Sequence, residues 1–152
     1  MRMEKDFKEF LRLLNKHRVH YCVIGSFALA LHARPRYTKD MDIIIEPSLK
    51  NGQKLVTVLQ EFGFGSLNLK PDDFCQEGYF IQLGYEPVRI DLVTSIQGLD
   101  FRQIWKNKVE VMDDNQKIYF IGLNDFMKSK QIAHRSQDLA DLEEIEKFKK
   151  NR

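Results

Sequence analysis

Tyr21-Cys22-Val23-Ile24-Gly25-Ser26 opens a stretch that closes, after thirteen intervening residues, on Asp40-Met41-Asp42-Ile43-Ile44-Ile45. Two apolar runs, one ending in a glycine turn and the other led by aspartates, predict a strand from Tyr21 to Ile24 and a second strand opening at Asp40. Between them lie a Gly25-Ser26 turn, a short helix over Phe27 to Ala33 and a basic loop from Arg34 to Lys39. The helix stops there because Pro35 disfavours helical geometry at the residue before it. Successive side chains on a strand alternate faces, so Asp40 and Asp42 point the same way. Two carboxylates aimed at one point repel, and a shared proton or a bound cation relieves the repulsion. A hard ion such as Mg²⁺ takes one or two carboxylates and completes its shell with water and substrate phosphates. Gly25-Ser26 can cradle such a phosphate, because glycine lets backbone approach closely and a helix N-terminus offers free N–H groups at its positive end.

Further along, Val88-Arg89-Ile90-Asp91-Leu92-Val93 sets one acidic residue in a hydrophobic strand, a costly placement unless the charge is partnered. Gly-Ser on a turn, Asp-x-Asp on a strand and a third carboxylate on a later strand, in that order, resemble the DNA polymerase beta-like nucleotidyltransferases. Within them the chain is similar to the minimal and abortive-infection-toxin-like members. The closing Lys128-Ser-Lys-Gln-Ile-Ala-His-Arg-Ser-Gln-Asp-Leu-Ala-Asp-Leu resembles the C-terminal helices of these proteins. The resemblance implies transfer of a nucleoside monophosphate from a nucleoside triphosphate to an acceptor hydroxyl, with Mg²⁺ or Mn²⁺ held by Asp40, Asp42 and Asp91 as the catalytic carboxylates. It implies that Gly25 and Ser26 bind the β/γ-phosphates and that Lys130 reaches the triphosphate. Resembling families modify RNA ends, proteins or small molecules, and some work within toxin–antitoxin pairs. The acceptor therefore stays open between a partner protein, tRNA and a small molecule. A catalytically idle nucleotide-binding or protein-interaction module on the same fold is the alternative.

The loop before the aspartates concentrates Arg34, Arg36 and Lys39, and beside a metal site Arg36 and Lys39 are candidates to hold a triphosphate or an anionic acceptor. A solvated loop accounts for the same charges. Asp72-Asp73 and Asp113-Asp114-Asn115 read as turns. Asp138 reads as a partner for a nearby cation, and the four histidines lack zinc-ligand spacing. No Gly-x-Gly-x-x-Gly or P-loop sequence occurs, so dinucleotide and P-loop chemistry have no support.

The scaffold reads from periodicity. Phe7, Phe10, Leu11 and Leu14 make the apolar stripe of a helix over Lys5 to Lys16. A second helix over Leu49 to Phe62 carries Leu55, Val56, Leu59 and Phe62, and a strand over Tyr79 to Leu83 forms a hairpin with the Asp91 strand. A short helix over Leu99 to Trp105 and a hairpin of Lys108–Met112 with Lys117–Ile121 follow, Trp105 being a packing residue without a stacking companion. Asn124 is placed as the cap of a helix over Asp125 to His134 with Phe126, Ile132 and Ala133 inward, and a last amphipathic helix runs through Phe148. The expected fold is α/β (α+β), a small mixed β-sheet flanked by helices. It forms one domain over residues 1–152, with helices from about 124 to 150 packed on it and the site at the sheet edge near Gly25.

A length of 152 residues suits one core, and a formal charge of +2 is too small to bind a polyanion by bulk electrostatics. Without a long apolar run or a signal-peptide core, a cytoplasmic protein off the membrane is expected. Cys22 and Cys75 suit a reducing compartment.

Overall fold

The computed structural model describes residues 3–33 and 39–150. Helix α1 (Lys5–Lys16) leads into β1 (Tyr21–Ile24), α2 (Gly25–His32), β2 (Asp40–Ile45) and α3 (Leu49–Phe62). Strands β3 (Phe80–Tyr85) and β4 (Val88–Val93), helix α4 (Phe101–Lys106), strands β5 (Val109–Asp113) and β6 (Gln116–Phe120) and helices α5 (Leu123–Ala133) and α6 (Ser136–Lys150) follow. The six strands form one mixed sheet in the order β3-β4-β2-β1-β6-β5. Strand β1 is antiparallel to β2 and parallel to β6, while β2 runs parallel to β4. This is the helix-flanked mixed sheet expected from the sequence.

The apolar stripe of α1 is buried as its spacing demands: Phe7, Phe10, Leu11 and Leu14 are sealed from solvent, and Phe10 meets Phe62 of α3 edge-on at 5.0 Å. Phe7 makes the same kind of contact with Phe27 of α2 at 5.6 Å, a ring geometry that adds to plain area burial. Ser48 accepts from the backbone N–H of Asn51 and so caps α3, which ends at Gly63 in the left-handed conformation. In β2 the outward positions of Asp40 and Asp42 alternate with buried Met41 and Ile43, and the last three residues of the strand are all covered. Period two therefore holds where the charges are and gives way where the sheet is buried on both faces.

Several boundaries differ from the sequence reading. Gly25-Ser26 is the first turn of α2 and not a separate turn before it, since Gly25 at φ +66° reverses the chain within one residue. Helix α5 starts at Leu123 with Gly122 as its N-cap, so Asn124 does not cap it. Ile132 and Ala133 are exposed and not inward: Ala133 lines a cleft, whose wall accepts an apolar residue as a core does, and Ile132 lies beside Gly98. Trp105 has companions, a parallel His20 ring at 4.3 Å, Phe101 at 6.1 Å and Tyr119 edge-on at 5.2 Å. The aspartate strands are interior and not at the edge of the sheet, so the site sits over the ends of β1, β2 and β4. Among the described residues no helix is long and apolar enough to cross a membrane.

Candidate active site

Parallel pairing of β2 with β4 sets Asp42 directly opposite Asp91 and Asp40 opposite Arg89. Because each pair is two residues apart on its strand, all four side chains share one face and form a square of three negative charges and one positive. Arg89 Nε donates to Asp91 Oδ1 at 3.0 Å, which holds the buried Asp91 carboxylate within the sheet. Burial above all, then the charges of Asp91 and Asp40, push the Asp42 carboxyl up to about 6. Among the described residues Asp40 Oδ1 is buried with no hydrogen-bond partner. A buried oxygen without a donor is a strong acceptor waiting for a cation or a proton.

Gly25 closes this corner from β1. A Cβ added there would lie 2.3 Å from Asp42 Oδ2 and 3.0 Å from its Cβ and Cγ, so glycine is required both by its positive φ and by the carboxylate. Gly25→Ala is expected to cost about 1–2 kcal/mol of stability through left-handed strain. It should also displace the Asp42 carboxyl and lower any activity of the site by about a hundredfold. Thermal melts and turnover check the two effects separately, and a variant of unchanged activity would show that Asp42 is not needed where it stands.

Beyond Gly25 and Asp42 opens a cleft of about 800 Å³. Ser26 and Ile24 line one wall; Phe126, Ser129 and Lys130 of α5 and Asp138 and Asp141 of α6 line the other. Lys130 Nζ is pinned between Asp138 Oδ1 at 3.2 Å and Asp141 Oδ2 at 3.0 Å. Arg135 donates its backbone N–H and guanidinium to Asp138, and these bonds, with help from Lys130, hold the Asp138 carboxyl down to about 2. Gln137 supports Asp141 at 2.7 Å. Lys130 thus reaches the cleft as a fixed cation. Asp138 pairs with cations as the sequence reading held, while the part of Asp141 and Arg89 was missed; the four-residue spacing of Gln137 and Asp141 and the Arg-x-Asp of β4 were the available signals.

The cleft therefore brings together Gly25, Ser26, Asp42 and Lys130, with Asp40 and Asp91 beside Asp42 in the sheet. Lys39 is exposed and not among the residues lining the cleft, and Arg36 lies outside the described residues. Among the described residues no three His, Cys, Asp or Glu side chains are already gathered at metal-ligand spacing. The donor chemistry nevertheless fits a hard divalent ion: carboxylate oxygens, one of them without a partner among the described residues, at a corner where three carboxylates meet the Arg89 guanidinium.

A comparison with curated proteins yields no match. Among solved structures the chain is similar to TM1012, a suspected nucleotidyltransferase from Thermotoga maritima, with a TM-score of 0.56 at 16% identity over 96% of this chain and 91% of the other. It is similar as well to the lincomycin-bound lincosamide antibiotic adenylyltransferase LnuA, with a TM-score of 0.56 at 15% identity over 96% of this chain and 98% of that one. At such identities the likeness extends to the fold alone. A family profile described as a nucleotidyltransferase of unknown function (DUF6036) matches residues 2–150, nearly the whole chain, which therefore belongs to that nucleotidyltransferase family.

Proposed function

We propose that the protein transfers a nucleoside monophosphate from a nucleoside triphosphate to an acceptor hydroxyl, using Asp40, Asp42 and Asp91 with Mg²⁺ or Mn²⁺. The observation that carries this reading is the pairing of Asp42 with Asp91 on adjacent parallel strands, with Asp40 on the same face and the Gly25 turn pressed against Asp42. In the transfer a bond forms between the acceptor oxygen and the α-phosphorus, the bond to pyrophosphate breaks, and the hydroxyl proton passes to a carboxylate, for which Asp91 is the candidate. When bound, the metal neutralises the triphosphate and eases deprotonation of the acceptor. The free N–H groups at the start of α2, at Gly25 and Ser26, bind the β/γ-phosphates. Lys130, held across the cleft by Asp138 and Asp141, meets the triphosphate from the other side. The chain's own contribution is thus positioning and fixed charge, the terms that dominate phosphoryl chemistry.

The test incubates the protein with each α-labelled nucleoside triphosphate, Mg²⁺ and cell extract, beside the Asp40→Ala/Asp42→Ala variant. Label that enters RNA, protein or a small molecule only with the intact aspartates establishes the reaction and names the acceptor class. Label on a single partner protein would fit work within a toxin–antitoxin pair. Metal-dependent nucleotide binding without transfer would instead make the chain a nucleotide-binding module, and binding of neither nucleotide nor metal would overturn both readings.

A further inference from the structure

A second groove, of about 600 Å³, lies where α1 ends, β1 begins and β6 starts. It shares no residue with the Asp42 cleft and sits at the opposite end of the four-residue strand β1, roughly 13 Å away along the strand. Arg12, Lys16, Arg18 and Lys117 line it, and no Asp or Glu does. Three of these cations have acidic neighbours outside the groove: Arg12 pairs with Glu9 at 2.7 Å, Lys16 with Glu61 at 3.4 Å and Lys117 with Glu110 at 3.6 Å. All three side chains are about half exposed, and ion pairs in that setting are weak enough to yield to a phosphate.

The floor of the groove is aromatic. The His20 ring lies 4.3 Å from Trp105 at an interplanar angle of 20°, Lys108 Nζ sits 4.0 Å from the centre of the Trp105 ring, and Tyr119 meets Trp105 edge-on. Glu46 contacts His20 Nδ1 at 3.2 Å and steadies the ring by its edge. His20 keeps 41% of its side chain exposed, so a flat, backed surface faces the groove between the cations. A positive groove with a fixed ring in its floor suits a ligand that alternates phosphates with planar bases. An acidic peptide would satisfy the charges and leave the ring surface without a counterpart.

We propose that this groove binds single-stranded nucleic acid, its phosphates along Arg12, Lys16, Arg18 and Lys117 and a base against the His20–Trp105 stack. The assignment stands independently of the transfer reading, since none of its residues belongs to the aspartate site. Trp105 is the only tryptophan in the chain, so its fluorescence reports on the groove alone.

The experiment titrates the full chain with a single-stranded 12-nucleotide RNA and its DNA counterpart, following Trp105 fluorescence and the anisotropy of labelled oligonucleotide. Expected are saturable quenching and a plot of log affinity against log salt with a slope of about −3, as four phosphate contacts would give. Arg18→Ala should lower affinity about fivefold or more and shallow that slope by roughly one contact. His20→Ala should lower affinity about tenfold with the slope unchanged, the signature of lost stacking. The Asp40→Ala/Asp42→Ala protein should bind as well as wild type, which separates failure here from failure of the proposed reaction. Absence of quenching, indifference to both substitutions, or competition by polyglutamate as strong as that by the oligonucleotide would overturn the proposal.

Discussion

Asp42→Asn is expected to abolish nucleotidyl transfer while raising the melting temperature of the metal-free protein at pH 7. In the folded chain the Asp42 carboxyl titrates at about 6, against 3.8 for the free group, because burial and the neighbouring Asp91 and Asp40 disfavour its charge. The folded state thus holds a proton between those values that the unfolded state has released. Stability therefore falls as pH rises from about 4 to about 6 and stays lower above. The loss is on the order of 2–3 kcal/mol. Asparagine carries no charge at any of these pH values, so in EDTA at pH 7 the variant should melt about 5 °C or more above wild type, with the gap nearly closed at pH 4. Transfer should fall by at least about a thousandfold, since the amide cannot replace an anionic ligand. A variant that melts below wild type at pH 7 would mean that the carboxylate is favourably paired and not strained.

Lys130→Met should have the opposite thermodynamic sign. Among the described residues it leaves buried Asp141 with Gln137 alone as donor, and it removes one of the cations around the fully buried Asp138. Breaking a buried pair by removing one partner costs about 3–5 kcal/mol, and Arg135, still bound to Asp138, should keep the loss near 3. Urea unfolding would show a lower midpoint with an unchanged slope. Adding Asp141→Asn should recover more than half of the loss, because the orphaned charge goes with it. If Lys130 also meets the triphosphate, Lys130→Met raises KM for the nucleotide, and the double variant recovers stability without recovering KM. Recovery of both would make Lys130 purely structural.

The sequence showed most clearly what a strand cannot hide. Asp40 and Asp42 interrupt an apolar run at period two, so their shared face could be read before any pairing was known, and the structure adds that β4 lies beside β2 in the register that sets Asp91 opposite Asp42. Helices α1 and α3 were legible for the related reason that an apolar stripe at period 3.6 arises from little besides a helix packed by one face. What periodicity cannot separate is a core face from a cleft face, and Ala133 of α5 was misplaced on that account. Cross-chain partnerships were hidden as well. The stacking of His20 on Trp105 joins residues 85 positions apart, and nothing local marks either as half of a pair. The Gly122 start of α5 escaped because Asn124 offered a better capping side chain than the residue the chain used.

The register of β2 against β4 also constrains how the protein comes into being. Asp42 and Asp91 stand about fifty residues apart along the chain, and α3 and β3 intervene between their strands. A parallel pair at that separation must meet the entropy of closing a long loop before its contacts repay it, so it belongs to the later part of folding. During synthesis the charge square cannot close until β4 has left the ribosome, and no N-terminal fragment ending before Arg89 can hold it. Regain of the site after denaturation should therefore trail the appearance of helix, making the carboxylate corner a reporter of completed folding.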